Sequence, residues 1–244
     1  MKTTENTILI TGGTSGIGSG FAKAYLKEGN HVIITGRRED RLEKIKEEFP
    51  SIATKRCDIS HAAEREELTQ WTLQHFPDLN VLINNAGIQL LTDLTKPVEI
   101  KRVHAEIDTN FIAPVHLSSL LASHLMTKHE AAIINISSGL AFTPLSFMPI
   151  YCASKAAIHS LTLSLRHQLK NTSVKVFEIV PPSVDTELGH DRRADKSKSH
   201  GGIPISEFIE GAMDAIRNDV WEAAIGMAHN LWQKREALFE RMNP

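Results

Sequence analysis

The run Thr7-Ile8-Leu9-Ile10-Thr11-Gly12-Gly13-Thr14-Ser15-Gly16-Ile17-Gly18 passes from unbroken apolar side chains straight into a glycine turn. Apolar residues at successive positions mark a strand covered on both faces. The same signature recurs along the chain and predicts strands at Thr7–Thr11, His31–Thr35, Ala53–Cys57, Val81–Asn84, Ala132–Ser137 and Val174–Val180. Amphipathic segments between them predict helices at Ile17–Lys27, Arg38–Glu48, His61–His75, Val98–Lys128 (broken near Asn110) and Tyr151–Lys170. A further helix is expected at Pro204–Arg217, a short strand at Glu222–Gly226 and a terminal helix at Ala228–Met242. Strand and helix alternating in this order imply right-handed crossovers, hence an α/β fold with a doubly wound parallel sheet. No repeat or low-complexity linker divides residues 1–244, so one domain is expected.

Composition narrows the function. The 244 residues carry 27 Lys+Arg against 29 Asp+Glu, a balance that argues against nucleic acid as a partner. No apolar stretch approaches the ~20 residues that span a bilayer. The N-terminus does not read as a signal peptide. Two cysteines, Cys57 and Cys152, make no disulfide framework and point to a reducing, cytoplasmic setting.

Gly12, Gly16 and Gly18, with Thr14, Ser15 and Ile17 between them, fall between a strand and a helix. Glycines there let the backbone approach a pyrophosphate, and the N–H groups of the helix start face the anion. The spacing is G-x-x-x-G-x-G, so the strand–turn–helix context is what makes it a candidate dinucleotide site. An acidic residue after the second strand would hold a ribose 2′-hydroxyl, whereas arginine suits a 2′-phosphate. Here that strand ends in Gly36-Arg37-Arg38. A guanidinium fork matches phosphate oxygens, which predicts NADP(H) over NAD. The competing reading pairs both arginines with Glu39 and Asp40 as solvent-facing residues.

Tyr151 and Lys155 stand four residues apart and share a helix face. A tyrosine is a poor base near neutrality, but an adjacent ammonium favours its phenolate. Such a pair suits proton transfer to or from a carbonyl or alcohol oxygen. Ser138 follows the fifth strand, and ligands bind at strand carboxyl ends in open α/β sheets.

With TGGTSGIG at 11–18, Asp58, NNAG at 84–87, Asn110, Ser138 and YCASK at 151–155, the chain resembles the short-chain dehydrogenase/reductase family, in its single-domain, Rossmann-type branch. The resemblance covers about residues 5–186, and Ser138 precedes Tyr151 by the family's usual spacing. The tail, with EFIEGAMDAI, AAIGMAHNLW and FERMN, resembles the DltE-like oxidoreductases. The resemblance implies that Tyr151 is the general acid/base and that Lys155 lowers its pKa and holds the nicotinamide ribose. It implies that Ser138 polarises the substrate oxygen and that Asn110 holds a water linking Lys155 to solvent. Asp58 is then expected at the adenine, Asn84, Ala86 and Gly87 at the adenosine ribose, and Val184 and Thr186 at the nicotinamide end. A homodimer or homotetramer is the family's common assembly.

One departure stands out. Where the family usually has Pro-Gly, this chain has Pro181-Pro182, which stiffens the loop and removes a backbone donor. The pocket for a small carbonyl or alcohol substrate is expected between Leu140–Ile150, Gln89–Leu94 and a lid at Glu187–Gly202, in a mobile loop of about 187–203. Phe142, Leu145, Phe147, Met148 and Leu188 would make it apolar. The segment 187–202 also reads as a plain solvated loop. The scattered histidines show no H-E-x-x-H and no Cys/His cluster, so no metal is expected. Cys152 reads as a packed residue and Trp221, Trp232 and Phe239 as packing groups. The rival readings are a cofactor-binding regulatory protein without turnover, and an epimerase or dehydratase of the same fold.

Overall fold

The computed structural model describes residues 1–189 and 201–243. Seven strands, all parallel, form one sheet: β1 (Thr7–Thr11), β2 (His31–Gly36), β3 (Ala53–Arg56), β4 (Leu79–Asn84), β5 (Ala131–Ile136), β6 (Val174–Val180) and β7 (Glu222–Ala224). Their spatial order is β3-β2-β1-β4-β5-β6-β7. The chain winds outward one way from β1 and the other way from β4, and a crevice opens where the winding reverses.

Strand side chains alternate between two apolar layers. Ile8, Ile10, Ile34, Ile134 and Phe177 face one layer with α1 (Gly16–Lys27), α2 (Glu39–Glu48) and α7 (Ile205–Arg217). Phe21 of α1 meets Phe208 of α7 edge-on, with centroids 6.4 Å apart. Leu9, Leu82, Ile133 and Val176 face the other layer, with α3 (Ala62–His75) and α5 (Ala113–Leu125). The spacing of Gly18, Phe21, Ala22 and Tyr25 on α1 is what buries one stripe of that helix.

The expected break near Asn110 is a π-helical turn, Asp108–Ile112, between α4 (Ile100–Ile107) and α5. The helix α6 runs Pro149–Gln168, starting two residues earlier than the apolar pattern suggests because Pro149 suits a first turn. The terminal helix is not continuous. It divides into α8 (Ala228–Lys234), a 3-10 turn (Arg235–Leu238) and α9 (Phe239–Met242). Arg235 adopts a left-handed φ of 49°, and the Thr143 hydroxyl donates to the carbonyls of Leu231 and Arg235 at 3.3 and 2.9 Å. Among the described residues no helix is long and apolar enough to cross a membrane.

Candidate active site

The glycine turn is held from the side by the next strand over. Asn85 and Ala86 donate their backbone N–H groups to Thr11 Oγ1 at 3.0 and 3.1 Å, and the Asn85 amide donates to the Thr11 and Gly12 carbonyls. Gly12 has a φ of 65°, and a Cβ there would stand 2.8 Å from Ala86 Cα. A Cβ at Gly18 would lie 2.4 Å from the Gly12 carbonyl oxygen, so this glycine serves close packing of α1 on the turn. Two segments read separately in the sequence, 11–18 and 84–87, are therefore one hydrogen-bonded unit.

A cleft of about 1320 Å³ lies over the strand ends. Gly12, Thr14, Ser15, Gly16 and Ile17 line it, as do Arg37, Arg38, Asp58, Ala86 and Gly87. Ser138, Tyr151, Lys155, Val184 and Thr186 line it at the other end. Ser15 begins α1 with no side-chain cap bond, so its first-turn N–H groups face the cleft in the manner that suits an anion. Asn84 is placed elsewhere: it is buried, and its amide donates to Ser118 Oγ and Asn135 Oδ1. Asn85 lines the cleft in its stead.

The arginines do not pair with Glu39 and Asp40. Arg37 lies 3.8 Å from Asp58, and Arg38 bonds Ser15 Oγ and Glu187. Burial opposes the charge of Asp58, but two bonds from Ser60 and the Arg37 guanidinium outweigh it and hold this carboxyl below its ordinary range. Glu187 is gripped harder by Arg41, whose Nη1 lies 2.6 Å from both carboxylate oxygens. Arg41 had no signal in the sequence beyond helical charge.

Around the candidate catalytic groups the packing is dense. Lys155 is buried and donates to the Ile136 carbonyl at 2.9 Å, with its Nζ 5.8 Å from the ring centre of Tyr151. Burial pushes the lysine down to about 8 against the pull of the Glu178 carboxylate. Ser138 Oγ accepts the Leu140 N–H at 3.1 Å, which leaves its own proton to donate. Asn110 does not line the cleft. The π-turn aims its amide at the Ile88 backbone, whose N–H and C=O it meets at 2.9 and 2.8 Å, and at Ser154 Oγ. A turn with one extra residue is what rotates Asn110 inward, a common device at functional sites.

The family profile for short chain dehydrogenases matches residues 6–197. The chain belongs to the short-chain dehydrogenase family. It is 47% identical to the oxidoreductase DltE of Bacillus subtilis (strain 168), over 100% of this chain and 98% of that one. It is 31% identical to an NADP-dependent 3-hydroxy acid dehydrogenase, YdfG, of Salmonella typhi, covering 91% of this chain and 90% of the relative. Its fold is similar to that of a Burkholderia cenocepacia J2315 short chain dehydrogenase solved with NADP, with a TM-score of 0.84, 24% identity and 99% of each chain covered. A Burkholderia phymatum family member solved with NAD matches with a TM-score of 0.86 and 21% identity, over 100% of this chain and 98% of that one.

In this short-chain dehydrogenase the wall of the expected substrate pocket has parts that sequence reading missed. Leu145, Phe147, Met148 and Leu188 line the cleft, but Phe142 does not. Its ring turns inward and packs edge-on against His159, with centroids 4.7 Å apart. Met227, Asn230, Leu231, Leu238, Arg241 and Met242 complete the wall from the tail. Asn243 ties that tail down, accepting the Ser146 N–H at 2.6 Å and donating to the Pro144 carbonyl at 3.1 Å. The Thr92 N–H donates to the Phe147 carbonyl at 3.1 Å, and buried Glu106 accepts the Leu90 N–H, so the two expected pocket loops meet. Cys152 packs against the loop, its sulfur accepting the Leu145 N–H at 3.3 Å. Beyond Pro182, Val184 bridges Ile203, and Ile203 donates to Ser183 while accepting from Asp185. The middle of the expected lid, 190–200, lies outside the described residues.

Proposed function

We propose that this short-chain dehydrogenase is an NADP(H)-dependent carbonyl reductase or alcohol dehydrogenase acting on a small or medium apolar ketone or aldehyde. The observation that carries the reading is Lys155, a buried ammonium held by the Ile136 carbonyl beside Tyr151 in the cleft that also contains the glycine turn. A regulatory protein has no need of a buried cation next to a phenol. With its pKa pushed to about 8, the lysine stays mostly charged at neutrality and favours the Tyr151 phenolate.

The nicotinamide cofactor, when bound, supplies the hydride. Tyr151 gives a proton to the substrate oxygen during reduction and takes it back during oxidation. The Ser138 hydroxyl donates to that oxygen and fixes its position. Lys155 stabilises the phenolate, and Asn110, set between the Ile88 backbone and Ser154, holds the route by which the proton is replaced from solvent. Arg37, whose nearest carboxylate is too distant for a hydrogen bond, and Arg38 beside Ser15 would take the 2′-phosphate. The Salmonella typhi relative, an NADP-dependent 3-hydroxy acid dehydrogenase, supports both the cofactor choice and the hydroxyl/carbonyl chemistry. The reading includes a cytoplasmic setting, which two free and buried cysteines favour, and a homodimer or homotetramer. Ile112, Met126 and Leu163, exposed around α5 and α6, would lie in the shared face.

A paired titration with NADPH and NADH, followed by energy transfer from the tryptophans, tests the cofactor choice. Tight NADPH binding with weak NADH binding is expected, followed by NADPH oxidation on a panel of ketones and aldehydes. Bound NADPH with no turnover across that panel would overturn the enzymatic reading.

A further inference from the structure

Behind Tyr151 and Lys155, the sheet carries a row of polar side chains inside an apolar layer. Asn84 is in register with Asn135, Asn135 with Glu178, and Glu178 with Glu222. The row continues the face that Leu82, Ile133 and Val176 occupy two residues earlier. Each member reaches a helix. Asn84 donates to Ser118 on α5, and Asn135 donates to Thr162 on α6 at 2.9 Å. Glu178 Oε2 lies 2.8 Å from His159 Nδ1 on α6, and Glu222 accepts the Trp232 indole N–H from α8.

Glu178 is the costly member. It is 0% exposed, and its Oε1 has no hydrogen bond among the described residues. A buried carboxylate needs opposite charge nearby. His159 and Lys155 face it from one helix, because Tyr151, Lys155 and His159 are spaced one turn apart along α6. His159 is bonded to the carboxylate, and that bond raises its pKa. Lys155 grips the carbonyl of Ile136, the residue after Glu178's register partner Asn135.

We infer that Glu178 is a positioning residue: its carboxylate, fixed by His159, keeps Lys155 in the ammonium form that Tyr151 requires. This rests on the proposed function. Burial alone drives the lysine toward its neutral form, and the Glu178 carboxylate works against that. Without the carboxylate the lysine would lose its proton nearer neutrality, and the phenolate would lose its cation. The other charged groups facing the pair are Glu222 from β7, 3.9 Å from His159 Nδ1, and Arg235, which lies over the Phe142 ring that packs on His159. Asn110 and Ser154 beside the lysine are neutral.

His159, Glu178 and Glu222 also offer ligand atoms within 4.8 Å of one another. At 2.8 Å, however, Nδ1 and Oε2 hold a proton between them. A zinc ion ~2.0–2.2 Å from each would see them at an angle far below tetrahedral. The cluster is therefore a hydrogen-bonded pair and not a cation site.

The test follows Lys155 directly, by NMR titration of isotope-labelled lysine side chains in the intact chain, with Lys155→Met as the assignment control. Glu178→Gln keeps the shape and removes the charge. Its Lys155 midpoint is expected about one pH unit lower than in the parent, with Glu178→Asp restoring most of the shift. On any carbonyl that the enzyme reduces, the alkaline limb of kcat should move down by the same amount, about a tenfold loss above it, with KM for NADPH little changed. A folded Glu178→Gln protein with an unmoved midpoint overturns the inference. Should that variant fail to fold, His159→Gln decides. It removes the group that fixes the Glu178 carboxylate, so the Lys155 midpoint is expected to fall, and an unmoved or raised midpoint overturns the inference. A melting temperature that zinc raises in the parent but not in Glu178→Gln reassigns the cluster to a metal and also overturns it. If the chain neither binds NADPH nor reduces a carbonyl, the proposed function fails, while the lysine titration still decides this inference.

Discussion

On the glycine-turn side of the cleft, the wall is main chain pinned by two short side chains: the Thr11 hydroxyl accepts the Asn85 and Ala86 N–H groups, and the Asn85 amide holds the Thr11 carbonyl. On the opposite side, the wall is lined by side chains and is tied together between distant parts of the chain, the Thr143 hydroxyl holding the Leu231 and Arg235 carbonyls and Asn243 the Ser146 N–H. The first kind of wall tolerates little change, because a glycine turn offers no side chain to repack. The second can be re-lined residue by residue while the strands below stay fixed. A fold built this way can keep one cofactor chemistry and exchange substrates.

The comparison is broken most sharply at the join between the two sides. Tyr151→Phe is expected to lower kcat about 10²–10⁴-fold while leaving NADPH affinity within about twofold, measured by steady-state rates beside a binding titration. Comparable losses in both would mean that the phenol is structural. Gly18→Ala tests the backbone side. Its Cβ would press on the Gly12 carbonyl, and a destabilisation of about 1–3 kcal/mol is expected in urea unfolding, with weaker cofactor binding. Arg37→Ala should weaken NADPH binding on the order of tenfold or more and leave NADH unchanged, as judged by parallel titrations. Equal affinity for the two cofactors before and after the change would remove the phosphate role. Asn243→Ala tests the far wall and should be the mildest. Loss of its bonds to Ser146 and Pro144 is expected to raise the substrate KM several-fold with NADPH affinity unchanged.

What was legible in the sequence follows the same division. The strands, the glycine turn and the Tyr151–Lys155 spacing are local patterns, and each lies where its residues suggest. The break near Asn110 was visible, but its π-helical form was not, because the extra residue is stabilised by Ile88 and Ser154 from other segments. Asn84 reads as a cleft residue by its place at a strand end, yet strand alternation points its amide into the sheet and gives Asn85 the cleft. The partners of Arg37 and Arg38 came from Asp58 and Glu187 and not from their neighbours in sequence. His159 looked like one scattered histidine among twelve, since its carboxylate partners stand on two strands that follow α6.

Both thiols are buried, and they sit at opposite ends of the cleft. Cys57 lines the Arg37–Asp58 end, and Cys152 lies under the loop that carries Leu145 and Phe147 into the proposed substrate pocket. Burial pushes Cys57 up to about 12 and raises Cys152 as well, so neither is a thiolate in the closed protein. A thiol-reactive dye would therefore label each cysteine only while its own surroundings are open. The two labelling rates would serve as separate clocks for the breathing of the two walls, in a chain that needs no added probe.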